Sequence, residues 1–266
     1  MRAVLIDWIV QVHHRFGMVA ETLFLTCNYI DRFLSSKVVS IGKLQLVGAT
    51  ALFVAAKYEE IFCPSVHEIV YMVDNGYSAA EILSAEKFML SMLQFELGWP
   101  GPMSFLRRIS KADDYDSGIR TIAKYLIEAT LMDERFVSSP PSFVAAGAHY
   151  LARVICRGQR DWVRLRIQQT EVGEIIANYP TQTLPHIHFS GYTLGQLKPL
   201  VTKIYECLEN AKRHHGAIFD KYTDERFNKV SLHVQRFMTS CSSIGIDYVF
   251  IGHLLEDADS SSLEDY

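Results

Sequence analysis

The stretch GKLQLVGATALFVAAKYEE, residues 42–60, limits what this chain can fold into more than any other. Apolar residues run almost all the way round its helical projection, and Gly48, Ala49, Ala51, Ala55 and Ala56 are small. A helix without a polar face must be surrounded by protein, and small side chains let its neighbours approach closely. The stretch therefore reads as the central helix of a bundle.

The flanking sequence supplies the neighbours. AETLFLTCNYIDRFLSS, residues 20–36, sets Leu23, Cys27, Ile30 and Leu34 at helical spacing. Residues 65–73 and 78–95 read as two more helices, each opened by a serine N-cap, the second with Ser78 and Glu81 in capping-box register. MRAVLIDWIVQVHHRF, residues 1–16, carries two apolar stripes. Met1, Val4, Leu5, Trp8 and Val12 form one, and Ile6, Ile9 and Val10 the other, so this helix needs two partners. What the two faces pack against is left open by the stripes themselves.

LGWPGP, residues 97–102, breaks the chain. Beyond it the theme returns. TLMDERFVSS echoes NYIDRFLSS, and PPSFVAAGAHYLARVI is again a small-residue helix, with Asp133 matching Asp31 and Gly147 matching Gly48. The expectation is an all-α protein of two tandem five-helix bundles, 1–98 and 102–238. A serine-rich acidic end, 239–266, reads as a disordered tail.

Composition narrows the function. With 30 acidic and 26 basic residues the net charge is −4, which argues against a general nucleic-acid binder. The cysteines, Cys27, Cys63, Cys156, Cys207 and Cys241, form no C-x-x-C pair and read as free thiols of an intracellular protein. The apolar start lacks a basic flank and carries Asp7, so it does not read as a signal peptide. No apolar run reaches about 18 residues, so no membrane span is expected. Phosphate-binding, dinucleotide, zinc-protease and serine-hydrolase motifs are all missing. His13 with His14 and His214 with His215 are adjacent pairs, expected to point apart on a helix, and His186 with His188 lacks a third ligand. An enzyme is not expected, nor a metal or cofactor.

Two polar features remain. Lys57 and Glu59 with Glu60 close the central helix, and Glu86 interrupts the apolar AEKFMLSML. Charged groups among Val54, Tyr58, Leu90 and Phe95 describe either a salt-bridged rim or a protein-binding surface. FLRRISK, residues 105–111, together with Arg120 and Lys124 one turn apart, describes either a solvated face or a phosphate-sized anion site.

MRAVLIDWIVQVH, ETLFLTCNYIDRFLSS, KLQLVGATALFVAAKYEEI and FLRRISKADDYD together resemble the cyclin box of B-type, G2/mitotic-specific cyclins of fungal-like character. The resemblance covers residues 1 to about 162 and resumes from about 183 to 238. It implies a non-catalytic regulatory subunit that binds and activates a cyclin-dependent serine/threonine kinase as a heterodimer. It also implies action at the G2/M transition, in nucleus and cytoplasm. The family's kinase-contacting lysine and glutamate fall on Lys57 and Glu86, with apolar contacts at Val54, Tyr58, Leu90, Phe95 and Leu97. Its groove for short linear docking motifs of substrates and inhibitors falls on Met1, Val4, Leu5, Trp8, Gln11, Leu44 and Gln45. Gln11 replaces a glutamate found in some members, which weakens selection for a basic motif residue. The phosphate pocket of B-type members, a site for phosphorylated peptides, resembles Arg107, Arg120 and Lys124. No nucleic-acid or membrane partner is implied.

The sequence departs from the family in three places, one of them the stretch 241–266, which lies beyond the box and is assigned no function. The helix that precedes the box and the upstream degradation signals are not in this sequence, so an N-terminally truncated chain with weakened kinase binding is expected. VRLRIQQTEVGEIIANYPTQ, residues 163–182, fits nothing in the family; it reads either as a translated short intron or as a surface-loop insertion. Two other functions stay open: a transcription factor of the TFIIB-like, paired-bundle kind, and a truncated cyclin unable to activate its kinase.

Overall fold

The computed structural model describes residues 1–168 and 184–243, with side chains described through Cys156 and from Leu184 to Cys241. All regular structure among these residues is helical. The chain divides into two compact units, one of Met1–Gly101 with Leu131–Val137, the other of the remainder.

Five helices build the first unit: α1 (Arg2–Phe16), α2 (Ala20–Ser36), α3 (Leu44–Glu59), α4 (Val66–Met72) and α5 (Ala79–Met92). Every residue of α3 from 47 to 56 is buried, as its apolar circumference requires, and α1, α2, α4 and α5 all pack on it. Gly48 permits the close approach of α1: a Cβ there would stand 2.7 Å from Leu5 Cδ1. Ser65 and Ser78 cap α4 and α5 in full capping boxes with Glu68 and Glu81, so two backbone donors are satisfied at each start. Arg2 ties the unit together. Its guanidinium grips Asp31 with two hydrogen bonds (2.7 and 2.8 Å) and donates a third to the carbonyl of Leu131 (2.7 Å). That contact lies within the first unit, to which Leu131–Val137 belongs although it comes later in the chain.

The second unit holds α6 (Pro102–Ile109), α7 (Ser117–Thr130), α8 (Pro141–Gln168), α9 (Leu184–Ser190), α10 (Leu194–Glu209), α11 (Ala211–His214), α12 (Gly216–Lys221) and α13 (Val230–Ser243). Three of these, α9, α11 and α12, are short additions to the five expected. The small-residue helix α8 is buried from residue 144 to 155, and a Cβ on Gly147 would meet Leu200 Cδ2 at 2.6 Å. Gly147 thus does for α10 what Gly48 does for α1. The aspartates of the repeat are not equivalent: Asp31 binds Arg2, whereas Asp133 accepts from Arg135 two residues on. α13 runs past the expected end at 238 to Ser243 and buries Cys241. Residues 163–168 continue α8; the rest of the 163–182 segment and the tail beyond 243 lie outside the described residues.

Buried polar groups distinguish this unit. Lys221 Nζ donates to both oxygens of Glu128 (2.9 and 2.8 Å), and Tyr222 Oη donates to Glu128 Oε1 (2.9 Å). Asp113 Oδ2 faces His186 Nε2 (3.1 Å), Arg153 Nε (3.2 Å) and His149 Nε2 (3.4 Å). Tyr125 Oη lies 2.6 Å from His215 Nε2, and His215 Nδ1 lies 2.9 Å from His214 Nδ1. The adjacent histidines therefore meet rather than point apart. The reason is that His215 stands between α11 and α12 with a non-helical backbone (φ −143°, ψ 57°). Among the described residues no helix is long and apolar enough to cross a membrane.

Candidate functional site: the face around Lys57 and Glu86

Lys57 sits in the last turn of α3, where the helix dipole favours a cation. Its Nζ donates to Glu86 Oε1 on α5 at 2.6 Å and lies 4.0 Å from the ring centroid of Phe53. The lysine side chain is 44% exposed and the glutamate 12%, so the ion pair stands at the rim of the core with its cation facing outward. Tyr58, the next residue, is exposed and leaves its hydroxyl close to Gly98. Beyond the end of α3, Ile61 and Phe62 are each 92% exposed. Burial pushes the Cys63 thiol up, and the charges of Lys57 and Glu86 both reach it, which sets the 61–63 loop beside the pair. Two large apolar side chains held in water next to a charged anchor fit a surface awaiting a partner.

The far edge of this face is the turn after α5. The helix expected over 78–95 ends at Met92, and Phe95 lies in the turn, 70% exposed. Leu90 and Leu97 are half-buried around it. Val54 does not belong to the face: it is 2% exposed, because on a helix enclosed on all sides it points into the bundle. Ile61 and Phe62 are not among the residues expected at this face. Two large apolar residues in a loop, directly after the charged helix end, were the available signal.

The expected docking groove divides. Met1 and Val4 are 67% and 66% exposed, whereas Leu5 and Val12 are buried. Trp8 is half-buried against a cluster of Ala49, Phe53, Ile69, Val73 and Ile82, so it packs more deeply than an open groove floor. Gln11 is exposed and donates to Asp7 Oδ2 (2.9 Å). Leu44 opens α3 half-buried, with Gln45 exposed beside it. Arg2 and Leu5 serve the bundle itself, the arginine bound to Asp31 and the leucine packed on Gly48.

Of the basic residues, Arg120 and Lys124 share one face of α7, and Arg107 is exposed on α6. Arg120 lies over the Tyr115 ring (5.9 Å), with its Nε enclosed and lacking an acceptor.

Comparison with known proteins extends these observations. The model of the cyclin N-terminal domain matches residues 1–98 and that of the cyclin C-terminal domain residues 100–236. G2/mitotic-specific cyclin-4 of Candida albicans is 55% identical over 237 residues, covering 89% of this chain and 44% of that protein. G2/mitotic-specific cyclin-3 of Saccharomyces cerevisiae is 50% identical over 226 residues, covering 85% of this chain and 48% of that protein. This chain thus spans about half the length of the curated relatives it matches. Among solved structures, a viral cyclin from herpesvirus saimiri superposes with a TM-score of 0.61 at 17% identity, over 77% of this chain and 85% of that one. That likeness concerns the fold alone.

Proposed function

The chain belongs to the cyclin family, and from that premise we propose that it is the regulatory subunit of a cyclin-dependent serine/threonine kinase acting at the G2/M transition. The observation that carries this reading is the ion pair of Lys57 and Glu86, 2.6 Å across and outward-facing, set among exposed Tyr58, Ile61, Phe62 and Phe95. A desolvated aromatic anchor beside a charged one is the arrangement from which protein interfaces draw most of their binding energy. High identity to proteins named G2/mitotic-specific cyclins supports the cell-cycle stage.

The chain contributes no catalytic group. By binding one conformer of the kinase it shifts the population toward that conformer. It holds the kinase's regulatory helix inward and orders the activation loop, which assembles the kinase's own lysine–glutamate pair and metal site. Met1, Val4 and Leu44 offer apolar purchase for short linear docking motifs beside Trp8, and Asp7 with Gln11 offers polar contacts at the groove's end. Arg107, Arg120 and Lys124 supply the cations for phosphorylated peptides. Nucleus and cytoplasm are the proposed locations.

Pull-down with a cyclin-dependent kinase followed by a histone phosphorylation assay tests the reading. Lys57→Glu with Glu86→Lys keeps an ion pair, and hence the helical fold, while reversing both charges presented to the partner. Loss of kinase activation with unchanged circular dichroism is expected. Full activation by the doubly reversed chain, or no binding by the wild type, sinks the assignment.

A further inference from the structure

The turn that carries Phe95 is strained. Gln94 and Phe95 both have positive φ, 53° and 58°, in the left-handed region that side chains other than Asn and Asp enter at a cost. Among the described residues the same two-residue exit occurs at Asp74 and Asn75, at Asp114 and Tyr115, and at Asn228 and Lys229. Each of those three begins with Asp or Asn, whose short side chains tolerate the conformation. Gln94 and Phe95 have no such residue, so this turn carries a local cost that contacts from outside it can offset.

Such contacts come from α2. Arg32 Nη1 donates to the carbonyl of Glu96 (2.7 Å) and Nη2 to that of Leu93 (3.4 Å), while Tyr29 Oη donates to the carbonyl of Leu97 (2.8 Å). Two side chains one turn apart on one helix face thus engage three carbonyls of a five-residue turn. The turn's own bonds run from the N–H groups of Gln94 to Ser91 (3.1 Å), Phe95 to Leu90 (3.0 Å), Glu96 to Leu93 (3.0 Å) and Leu97 to Phe95 (3.0 Å), and they leave the carbonyls of Glu96 and Leu97 to the two side chains of α2. Tyr29 is fully buried, and burial pushes its phenol up to about 12, so it remains a donor throughout the physiological range.

We propose that Tyr29 and Arg32 are positioning residues of the kinase-binding surface, holding the 93–97 turn in its strained form so that Phe95 and Leu97 are ordered before the kinase arrives. The inference rests on the kinase-binding reading given above. Tyr29 lies buried beneath the turn, and Arg32 spends its guanidinium on the turn's carbonyls. Their contribution is pre-organisation: without them, ordering of the turn is subtracted from the binding free energy.

The test is a cycle of affinities for a purified cyclin-dependent kinase, measured by calorimetry on the full chain. Tyr29→Phe and Arg32→Ala are each expected to weaken binding about fivefold, the value of one net hydrogen bond. Phe95→Ala with Leu97→Ala is expected to weaken it more than about tenfold. In that second background the effect of Tyr29→Phe or Arg32→Ala should shrink below about twofold, because there is nothing left to position. Hydrogen exchange at the Phe95 amide should rise in both single variants with helical content unchanged. Tyr29→Phe removes one hydroxyl only and decides the matter if Arg32→Ala does not fold. Equal losses in both backgrounds, unchanged affinity of the single variants, or unchanged exchange at Phe95 overturns the positioning role. A wild-type chain that binds no kinase, or binding indifferent to loss of Phe95 and Leu97, instead overturns the assignment of the surface; exchange at Phe95 then still tells whether Tyr29 and Arg32 hold the turn.

Discussion

Lys57 meets Glu86 at 2.6 Å in the first bundle, and Lys221 meets Glu128 at 2.8 and 2.9 Å in the second. The chemistry is the same and the settings are opposite. In the first pair the lysine is 44% exposed and the glutamate 12%; in the second the values are 7% and 2%, and Tyr222 adds a third hydrogen bond to the carboxylate. A pair whose lysine stands in water contributes little to stability and presents its cation to a partner. A sealed pair cannot meet anything, and every lone pair on its carboxylate must be answered from within. Burial, more than distance, separates a recognition element from a structural one. The same division runs through the two bundles. The first surrounds an apolar α3 and turns its chemistry outward; the second encloses three polar networks around α7 and α8.

The sharpest way to break this contrast is to remove one lysine from each pair. Lys221→Met strands Glu128 as an uncompensated charge in the core and should cost about 3–5 kcal/mol, read as a fall in thermal or urea stability of the second bundle. A loss below about 1 kcal/mol would mean that water or another group reaches Glu128 once the lysine is gone, and the contrast would lose its basis.

Acid separates the bundles next. Burial holds His149 down at about 4, offset only in part by Asp113, and holds His215 at about 3, with His214 adding to the effect. His186, Arg153 and Asp113 are the charged and titratable groups facing His149. For Asp113, burial works upward, and His186, Arg153 and His149 together outweigh it to hold the carboxyl low. In the unfolded chain both histidines titrate near 6.5, so between 6.5 and 4 the unfolded chain binds more protons than the folded one. Stability therefore rises with pH. The contribution is complete above about 6.5 and is lost as pH falls toward 4 for His149 and toward 3 for His215. The His149 share is on the order of 3 kcal/mol. Amide exchange followed from pH 7 to pH 4 should show the second bundle losing protection ahead of the first. Simultaneous loss in both would remove acid sensitivity from the comparison.

The bundles ought to agree where the repeat is real. Gly48→Val and Gly147→Val each drive a branched side chain into a leucine, Leu5 in one case and Leu200 in the other. Each should cost about 1–3 kcal/mol by overpacking, measured by chemical denaturation. If only one of the two is destabilising, the small-residue helices are not equivalent and the repeat is one of composition alone.

How far these features could be read in advance depended on the reach of the physics involved. α2 and the serine-capped starts of α4 and α5 were legible because capping and helical periodicity act within a few residues. The central place of α3 was legible because an all-apolar circumference admits one environment. That same uniformity hid the orientation of Val54, since a helix with no polar side does not mark which residues face a partner. The end of α5 at Met92 is hard to read because Gln94 and Phe95 carry no glycine or asparagine signal, and the side chains that meet the turn beyond it, Tyr29 and Arg32, lie more than 60 residues earlier. The polar networks of the second bundle were invisible for the same reason: Asp113 and His186 are 73 residues apart, Tyr125 and His215 90, and Glu128 and Lys221 93. Of the candidate site, Lys57 and Glu86 could be picked out, whereas Ile61 and Phe62 stand in plain view and are not among the residues expected.

The smallest expected effect is the most telling. Replacing Lys57 by Met and Glu86 by Gln together removes the first pair, which stands partly in water and is screened there. Its loss should change stability by less than about 1 kcal/mol. Phe53 keeps an apolar neighbour in place of the ammonium 4.0 Å above it, which limits the packing cost. The same variant should bind a cyclin-dependent kinase at least tenfold more weakly, on the scale of a desolvated interface anchor. Stability measured by thermal melt and affinity by calorimetry would then move independently at Lys57 and Glu86. At Lys221 and Glu128 they should fall together, because there affinity can fail only through the fold. If the Lys57 and Glu86 variant melts several degrees lower and binds normally, the rim pair is a structural element like its buried counterpart, and the partner surface must be sought elsewhere.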